Sequence, residues 1–299
     1  MKELKNRNCF ITGAANGIGR EFASILAKEG MNLFLVDIDL HNLESVIKEL
    51  TDSEANVYGI KCDVTKIKDY QNAKKEFYSK FDQLDLLINN AGIAIGGNIL
   101  AITLEDWEKV LNVNLWGIIN SIHTFLPDLM ERQQGYIVNV ASGAGIIGLT
   151  EPPPYIYSKF AVVGLSEALF GQLSIFNINV SVIIPSYIKT DIYLKSKVKY
   201  PEKLIEDIGE EKLKEISDDL LKQMQSQAMS PEKAVQKYIE GIKNNLLYVY
   251  DNKAVLRSMT TKGREPQKYE EFLKNYNKNS WKFTKAHYQK YGVNLDSYY

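Results

Sequence analysis

Only two cysteines, Cys9 and Cys62, occur in the 299 residues. The chain therefore has neither a disulfide framework nor a four-thiolate zinc site, and no metal ligand set is expected. Both thiols fall in apolar, strand-like runs, where a buried free cysteine is the expectation. An excess of either charge is also lacking: 36 Lys+Arg stand against 37 Asp+Glu, a net charge of −1. That leaves no global attraction for anions. No apolar run approaches the roughly 18 residues that cross a bilayer. The stretch Cys9–Thr12 behind MKELKNRN is too short for the core of a secretory signal. No internal repeat or low-complexity tract is visible. What remains is a globular chain, 45% hydrophobic and 24% charged. It is expected in a reducing, cytoplasmic setting with no integral membrane segment.

Through the first two thirds, short β-branched runs alternate with longer helical patterns. The pattern predicts strands over 8–12, 32–37, 56–63, 84–89, 135–141 and 179–185, and helices over 17–29, 40–50, 67–80, 104–131 and 155–176. Runs such as LFLV, LDLLI and VSVII are apolar without alternation, as strands buried on both faces are. Alternating strand and helix predicts an α/β fold, a doubly wound parallel sheet with helices on both faces. Ligands of such sheets bind beyond the carboxyl ends of the strands, and the chemically suggestive residues fall there.

The first predicted strand runs into Thr12-Gly13-Ala14-Ala15-Asn16-Gly17-Ile18-Gly19 and then a helix. Glycines permit a tight turn and close approach to a pyrophosphate, and a helix start offers free N–H groups. A plain strand–helix turn would look the same, and the G-x-x-x-G-x-G spacing differs from the commoner G-x-G-x-x-G. Asp37 ends the second strand, where a carboxylate accepts both adenosine-ribose hydroxyls and repels a 2′-phosphate. With no Lys or Arg at Asn16 or Ile38, NAD is favoured over NADP. Asp63, closing the third strand, could accept from the adenine amino group. Tyr155 and Lys159, four apart on one helix face, pair a phenol with a cation. That pairing is expected to pull the phenol below its usual value of about 10 and make it a general acid/base.

Together these segments resemble the short-chain dehydrogenase/reductase family. The resemblance rests on TGAANGIG (12–19), Asp37, CDV (62–64), NNAG (89–92), Asn114 in NVNLWG, VASGAG (140–145) and YIYSK (155–159), and covers roughly residues 5–195. It implies a single Rossmann-like domain with about seven parallel strands, assembled as a homodimer or homotetramer through long helices. It also implies a catalytic tetrad of Asn114, Ser142, Tyr155 and Lys159. In that reading Tyr155 exchanges a proton with the substrate oxygen and Ser142 donates a hydrogen bond to it. Lys159 lowers the Tyr155 pKa and holds the nicotinamide ribose, and the Asn114 backbone carbonyl holds a relay water. Ser142 precedes Tyr155 by thirteen positions, the family's usual interval, which selects Tyr155 over Tyr157. The cofactor set it implies is Gly13, Asn16, Gly17, Ile18, Gly19, Asp37, Asp63, Val64, Asn90, Ala91, Gly92, Tyr155, Lys159, Pro185, Ile188 and Thr190. Ser186 stands where the family has glycine, which disfavours a positive φ and leaves that loop's conformation open.

The expected pocket wall is mostly apolar (Ile93, Ala94, Ile95, Gly143, Ile147, Leu149, Pro152–Pro154, Tyr187 and Tyr193 around Ser142), with no arginine cluster. It predicts a small apolar secondary alcohol or ketone, and Asp37 suggests oxidation by NAD as the working direction. An NADP-dependent carbonyl or ketoacyl reductase, or a catalytically silent dinucleotide-binding protein, is the alternative. The motifs fade after Asp191. Residues 191–228 read as a helical substrate lid within a 1–251 catalytic domain. The 252–299 segment reads as a basic, aromatic-rich extension packed on the body or on a partner subunit. Between Asn252 and Lys290 it carries ten lysines and arginines against three acids, a net +7. Such interleaving can bind nucleic acid or anionic membrane. The near-helical spacing of the lysines favours a packed helix and no nucleic-acid partner.

Overall fold

The computed structural model describes residues 1–148, 151–192, 196–226 and 228–298. Leu149 and Tyr193, two expected wall residues, lie outside the described residues. The first half runs β1 (Asn8–Thr12), α1 (Gly17–Lys28), β2 (Asn32–Asp37), α2 (Leu40–Asp52), β3 (Val57–Lys61), α3 (Ile67–Lys80), β4 (Leu86–Asn89), β5 (Ile95–Gly97), α4 (Leu104–Leu111) and α5 (Gly117–Arg132). The second half runs β6 (Gly135–Val140), α6 (Pro153–Leu173), β7 (Ile178–Ile184), β8 (Lys197–Lys199), α7 (Glu202–Ile208), α8 (Glu210–Gln225), α9 (Pro231–Lys243), β9 (Tyr248–Tyr250), α10 (Ala254–Arg264) and α11 (Pro266–Gln289).

Seven strands pair in the order β3-β2-β1-β4-β6-β7-β9, all parallel. Alternate residues of each strand enter opposite cores, as a period of two demands. Cys9, Ile11, Leu33, Leu35, Leu86 and Ile88 face α1, α2 and α9. Phe10, Phe34, Val36, Leu87, Val180 and Val182 face α3, α5 and α6. Phe10 stacks on Phe34 at 5.7 Å and packs on Phe125 at 4.7 Å. The expected doubly wound parallel sheet is therefore present, and the order reverses between β1 and β4. Both thiols are buried, and burial pushes Cys62 up to about 12, so neither serves as a thiolate near neutral pH.

Two features depart from the sequence reading. The helix expected over 104–131 is interrupted by a π-turn at Asn112–Trp116, because the Asn114 side chain leaves the helix surface to bind Ile93 across the cleft. A second, two-stranded parallel sheet joins β5 to β8. There Gly97 has φ +120°, and a Cβ on it would lie 2.0 Å from the Lys199 carbonyl oxygen. This pairing ties the start of the 192–225 segment to the loop after β4. By length and composition Pro153–Phe176 could cross a bilayer. In the fold it packs on β6 and β7, with Ser158, Lys159 and Ser166 buried.

Candidate active site

The glycine loop is built by close approach. Gly13 has φ +65°, and a Cβ on Gly19 would fall 2.1 Å from the Gly13 carbonyl oxygen and 2.4 Å from Asn90 Nδ2. Asn90 Nδ2 donates to the Thr12 and Gly13 carbonyls at 3.0 Å each, and the Asn90 and Ala91 amides donate to Thr12 Oγ1. The Asn90 side chain is thus a brace for the loop. At the start of α1, Asn16 makes no side-chain cap bond, which leaves first-turn N–H groups for an anion.

Asp37 lies beside this loop at the end of β2. Its carboxylate accepts from the Ala15 amide at 3.0 Å and the Asp39 amide at 2.9 Å, and retains lone pairs for two hydroxyls. Asp63 accepts from the Thr65 amide and hydroxyl with Lys66 at 3.3 Å. Against the opposing effect of burial, these contacts hold its carboxyl below the usual range. The Val64 carbonyl accepts from Asn120 Nδ2. Across the cleft, Thr190 lies against Gly17, whose Cβ would be 3.2 Å from its methyl. A cleft of about 280 Å³ runs between them, lined by Gly17, Arg20, Ser24, Lys189, Thr190 and Asp191.

The loop after β7 resolves the question of Ser186. This serine is not among the positive-φ residues. Instead its amide donates to both Asp251 oxygens, at 3.0 and 3.2 Å, and its hydroxyl donates to Oδ2 at 2.8 Å. Pro185 and Ile188 sit in this loop, and Ile188 bridges to Met229. The sequence reading missed Asp251. It follows β9 directly and reaches Ser186 only through the fold.

Around the reacting position, α6 begins with Pro153 and Pro154 in its first turn, which suits their fixed φ. Tyr155 is 4% exposed, whereas Tyr157 is 54% exposed and faces outward. Ser142, extended at φ −175°, accepts from the Ala144 amide at 3.1 Å, and its side chain lies close enough to the Tyr155 hydroxyl to act on it. While accepting from that amide, the hydroxyl keeps its one proton to donate. Lys159 Nζ lies 5.6 Å from the Tyr155 ring centroid and donates to the Val140 carbonyl at 2.9 Å. A Cβ on Gly92 would sit 3.4 Å from Asn114 Oδ1 and 3.5 Å from Lys159 Nζ, so these residues converge. The Asn114 side chain also donates to Ser158 Oγ at 3.0 Å. It holds the 93 loop to α6, and any part in catalysis falls to its backbone.

The electrostatics correct one expectation. Burial first, and then the Glu151 carboxylate, push the Tyr155 phenol well up, with the Ser142 side chain opposing them. Burial pulls the Lys159 amine down to about 8. In this apolar setting desolvation outweighs the attraction between the pair. Glu151, which the sequence reading did not single out, lies four residues before Tyr155 and also raises Tyr187 after burial.

Of the expected wall residues, Ile95 is buried within β5 and Ile147 packs on the sheet-side core. Ile93 is held through its backbone by Asn114, and Tyr187 is half-buried. The apolar cluster around Tyr155 consists of Ala94, an expected wall residue, with Ala144, Ile156 and Ile192.

Residues 7–200 match the family model described as short chain dehydrogenase. The chain belongs to the short-chain dehydrogenase/reductase family. Among its relatives, a CLA biosynthesis dehydrogenase/reductase of Lactiplantibacillus plantarum is 38% identical over 196 residues, 64% of this chain and 68% of that protein. The 3-oxoacyl-acyl-carrier-protein reductase FabG of Thermotoga maritima is 34% identical over 200 residues, 67% of this chain and 80% of that one. A crystal structure of a family member from Burkholderia phymatum in complex with NAD superposes with a TM-score of 0.79 at 28% identity, covering 89% of this chain and 96% of that one. As a short-chain dehydrogenase/reductase, the protein is an oxidoreductase that binds a nicotinamide dinucleotide. The uncapped start of α1, the close-packed glycine loop and the Asp37 carboxylate fit that group.

Proposed function

We propose that the protein interconverts an apolar ketone and a secondary alcohol with NAD(H), using Tyr155 as the acid/base. The observation that carries this is the buried Tyr155 with Lys159 Nζ 5.6 Å from its ring centroid, Ser142 beside its hydroxyl and an apolar cluster around it. When bound, the nicotinamide supplies or accepts the hydride. The N–H groups of Asn16 to Gly19 would hold the pyrophosphate and Asp37 the adenosine ribose. Asp63 and Val64 would hold the adenine. Ala91 and Gly92 would face the dinucleotide on the sheet side, and Pro185, Ile188 and Thr190 would border its carboxamide end. Tyr155 gives its proton to the carbonyl oxygen and Ser142 donates to that same oxygen. Lys159 then stabilises the phenolate left behind.

A phenol pushed up by burial is protonated at neutral pH, the form that ketone reduction requires. With the reductase name of the T. maritima relative, this supports reduction as the working direction, in place of the oxidation that Asp37 alone suggests. The name of the T. maritima relative and the apolar cluster support a 3-oxoacyl thioester or another apolar ketone. The direct test follows NADH absorbance with 3-oxo esters, 3-oxoacyl thioesters, oxo fatty acids and steroid ketones. A protein that binds NADH and reduces none of them would be a dinucleotide-binding regulator instead.

Two predictions concern the cofactor and the proton. Removing the charge in Asp37→Asn, or the side chain in Asp37→Ala, lowers the NADH-over-NADPH ratio of kcat/KM by at least about tenfold, since a like charge no longer opposes the 2′-phosphate. An unchanged ratio would remove the charge argument. Because Lys159 titrates near 8 and its charged form stabilises the product phenolate, kcat/KM for reduction falls as pH rises through about 8. A rate flat between roughly pH 7 and 9.5 contradicts this.

We also propose a homodimer or homotetramer. Trp116, Tyr157 and Leu104 are 53%, 54% and 78% exposed near α4 and α6, apolar side chains that a second copy would cover. Sedimentation velocity at micromolar concentration should give a multiple of 34.0 kDa; a single-chain mass would refute it.

A further inference from the structure

The segment after β9 makes contacts at two distant places, and both belong to the active-site surroundings. At its near end, α10 buries Val255 and packs Met259 into the cluster that holds Ile146 and Val163. Lys262, on the last turn of α10, lies 4.6 Å from the Phe160 ring centroid of α6 and 5.8 Å from that of Tyr269. It also makes a long 3.4 Å bond to the Ile146 carbonyl. The Tyr269 hydroxyl, on the first turns of α11, lies beside the Gly148 backbone. Ile146 and Gly148 close the short loop that begins at Ser142. The inner part of that loop is tight: a Cβ on Gly145 would lie 2.6 Å from the Lys159 carbonyl oxygen. The far end of α11 grips the other side. His287 Nε2 bonds the Ile216 carbonyl at 3.1 Å. The hydroxyls of Tyr291 and Tyr298 donate to Asp219 and Asp207 at 2.9 Å each. Tyr288, Val293 and Leu295 form one apolar cluster with Leu204, Leu213 and Ile216 of α7 and α8. The 192–225 segment in turn touches the site at both its ends, through Ile192 beside Tyr155 and Gln225 Nε2 on the Thr190 carbonyl at 3.0 Å.

Between these grips the middle of α11 is exposed on most sides. A 24-residue helix spans about 36 Å. A helix solvated along its middle and anchored at both ends acts as a spacer of fixed length.

We propose that the C-terminal extension positions the catalytic serine: Lys262 and Tyr269 hold the 143–148 loop so that Ser142 stays in register with Tyr155, while α11 sets the distance from that loop to the α7–α8 pair. Lys262 and Tyr269 are positioning residues that act through the loop. The inference rests on the reading of Ser142 as a donor to the substrate oxygen.

The test uses the full-length chain with Lys262→Met/Tyr269→Phe, Lys262→Arg and Ser142→Ala. Hydrogen–deuterium exchange reads the loop without any substrate. In the double variant the amides of 143–148 should exchange roughly tenfold faster, with the 12–19 loop unchanged. NADH affinity, read by fluorescence titration, should stay within about twofold. Reduction of ethyl acetoacetate as the probe ketone should lose about tenfold or more in kcat. Lys262→Arg, which keeps the cation and the donor, should restore both readouts. Unchanged exchange in 143–148 overturns the proposal, and so does faster exchange with wild-type kcat. If Ser142→Ala retains full turnover, the reading of the site fails instead. If Ser142→Ala is inactive while the double variant is wild type in both readouts, the positioning role alone falls.

Discussion

Tyr155→Phe should lower turnover by about 10²–10⁴-fold, the usual contribution of a positioned general acid, and leave NADH binding within about twofold of wild type. The variant removes one oxygen and keeps the ring that packs against Ala94, Ala144 and Ile192. It deletes the proton donor and the neighbour of Ser142 while the apolar cluster and the Lys159–Val140 bond persist. Steady-state rates with any ketone accepted by the wild type, beside an NADH fluorescence titration, decide it. Full activity would place the acid elsewhere, with Tyr157 an unsuitable candidate because its ring points outward beside Trp107. A parallel loss of NADH binding would mean that the phenol belongs to the dinucleotide site more than to the chemistry.

Gly19→Ala should abolish the cofactor site by packing alone. The added methyl would meet the Gly13 carbonyl oxygen at 2.1 Å and Asn90 Nδ2 at 2.4 Å, both held by the Thr12–Asn90 bonds that shape the loop. Neither neighbour is the free end of a flexible chain, so the loop itself has to shift. Overpacking of this kind costs about 1–3 kcal/mol, and the displaced N–H groups should reduce NADH affinity by at least about tenfold. Gly263→Ala is the control: no atom lies within 4 Å of its Cβ position, and as a helix-interior glycine it should hold or gain stability. Equal NADH affinity in Gly19→Ala and wild type would show that the pyrophosphate does not use this turn.

Much of the catalytic half is legible along the chain because its signals are local. Apolar runs without alternation announce strands covered on both faces. The Thr12–Gly19 turn, the strand-end Asp37 and the Tyr155–Lys159 spacing are each contained within a few residues. Asn114, Glu151 and Asp251 are different. Asn114 reads as a polar residue in a helix, and only the approach of the 93 loop shows why a π-turn forms there. Glu151 gains its effect on Tyr155 and Tyr187 from proximity across a turn. Asp251 meets Ser186 from 65 positions away, where no local pattern can register the match. The β5–β8 sheet is hidden for the same reason, since two three-residue strands a hundred positions apart carry too little alternation to be read.

The order of strands and helices and the family were settled by residue type and spacing, since hydrophobic periodicity and glycine turns act over neighbouring residues, and the proposed tetrad is read from the same spacing. The protonation balance of Tyr155 and Lys159 was decided by the tertiary structure, because desolvation depends on everything that encloses a group. The attachment of the C-terminal extension to both the serine loop and α7–α8 was decided there too, through contacts between segments that sequence distance keeps apart.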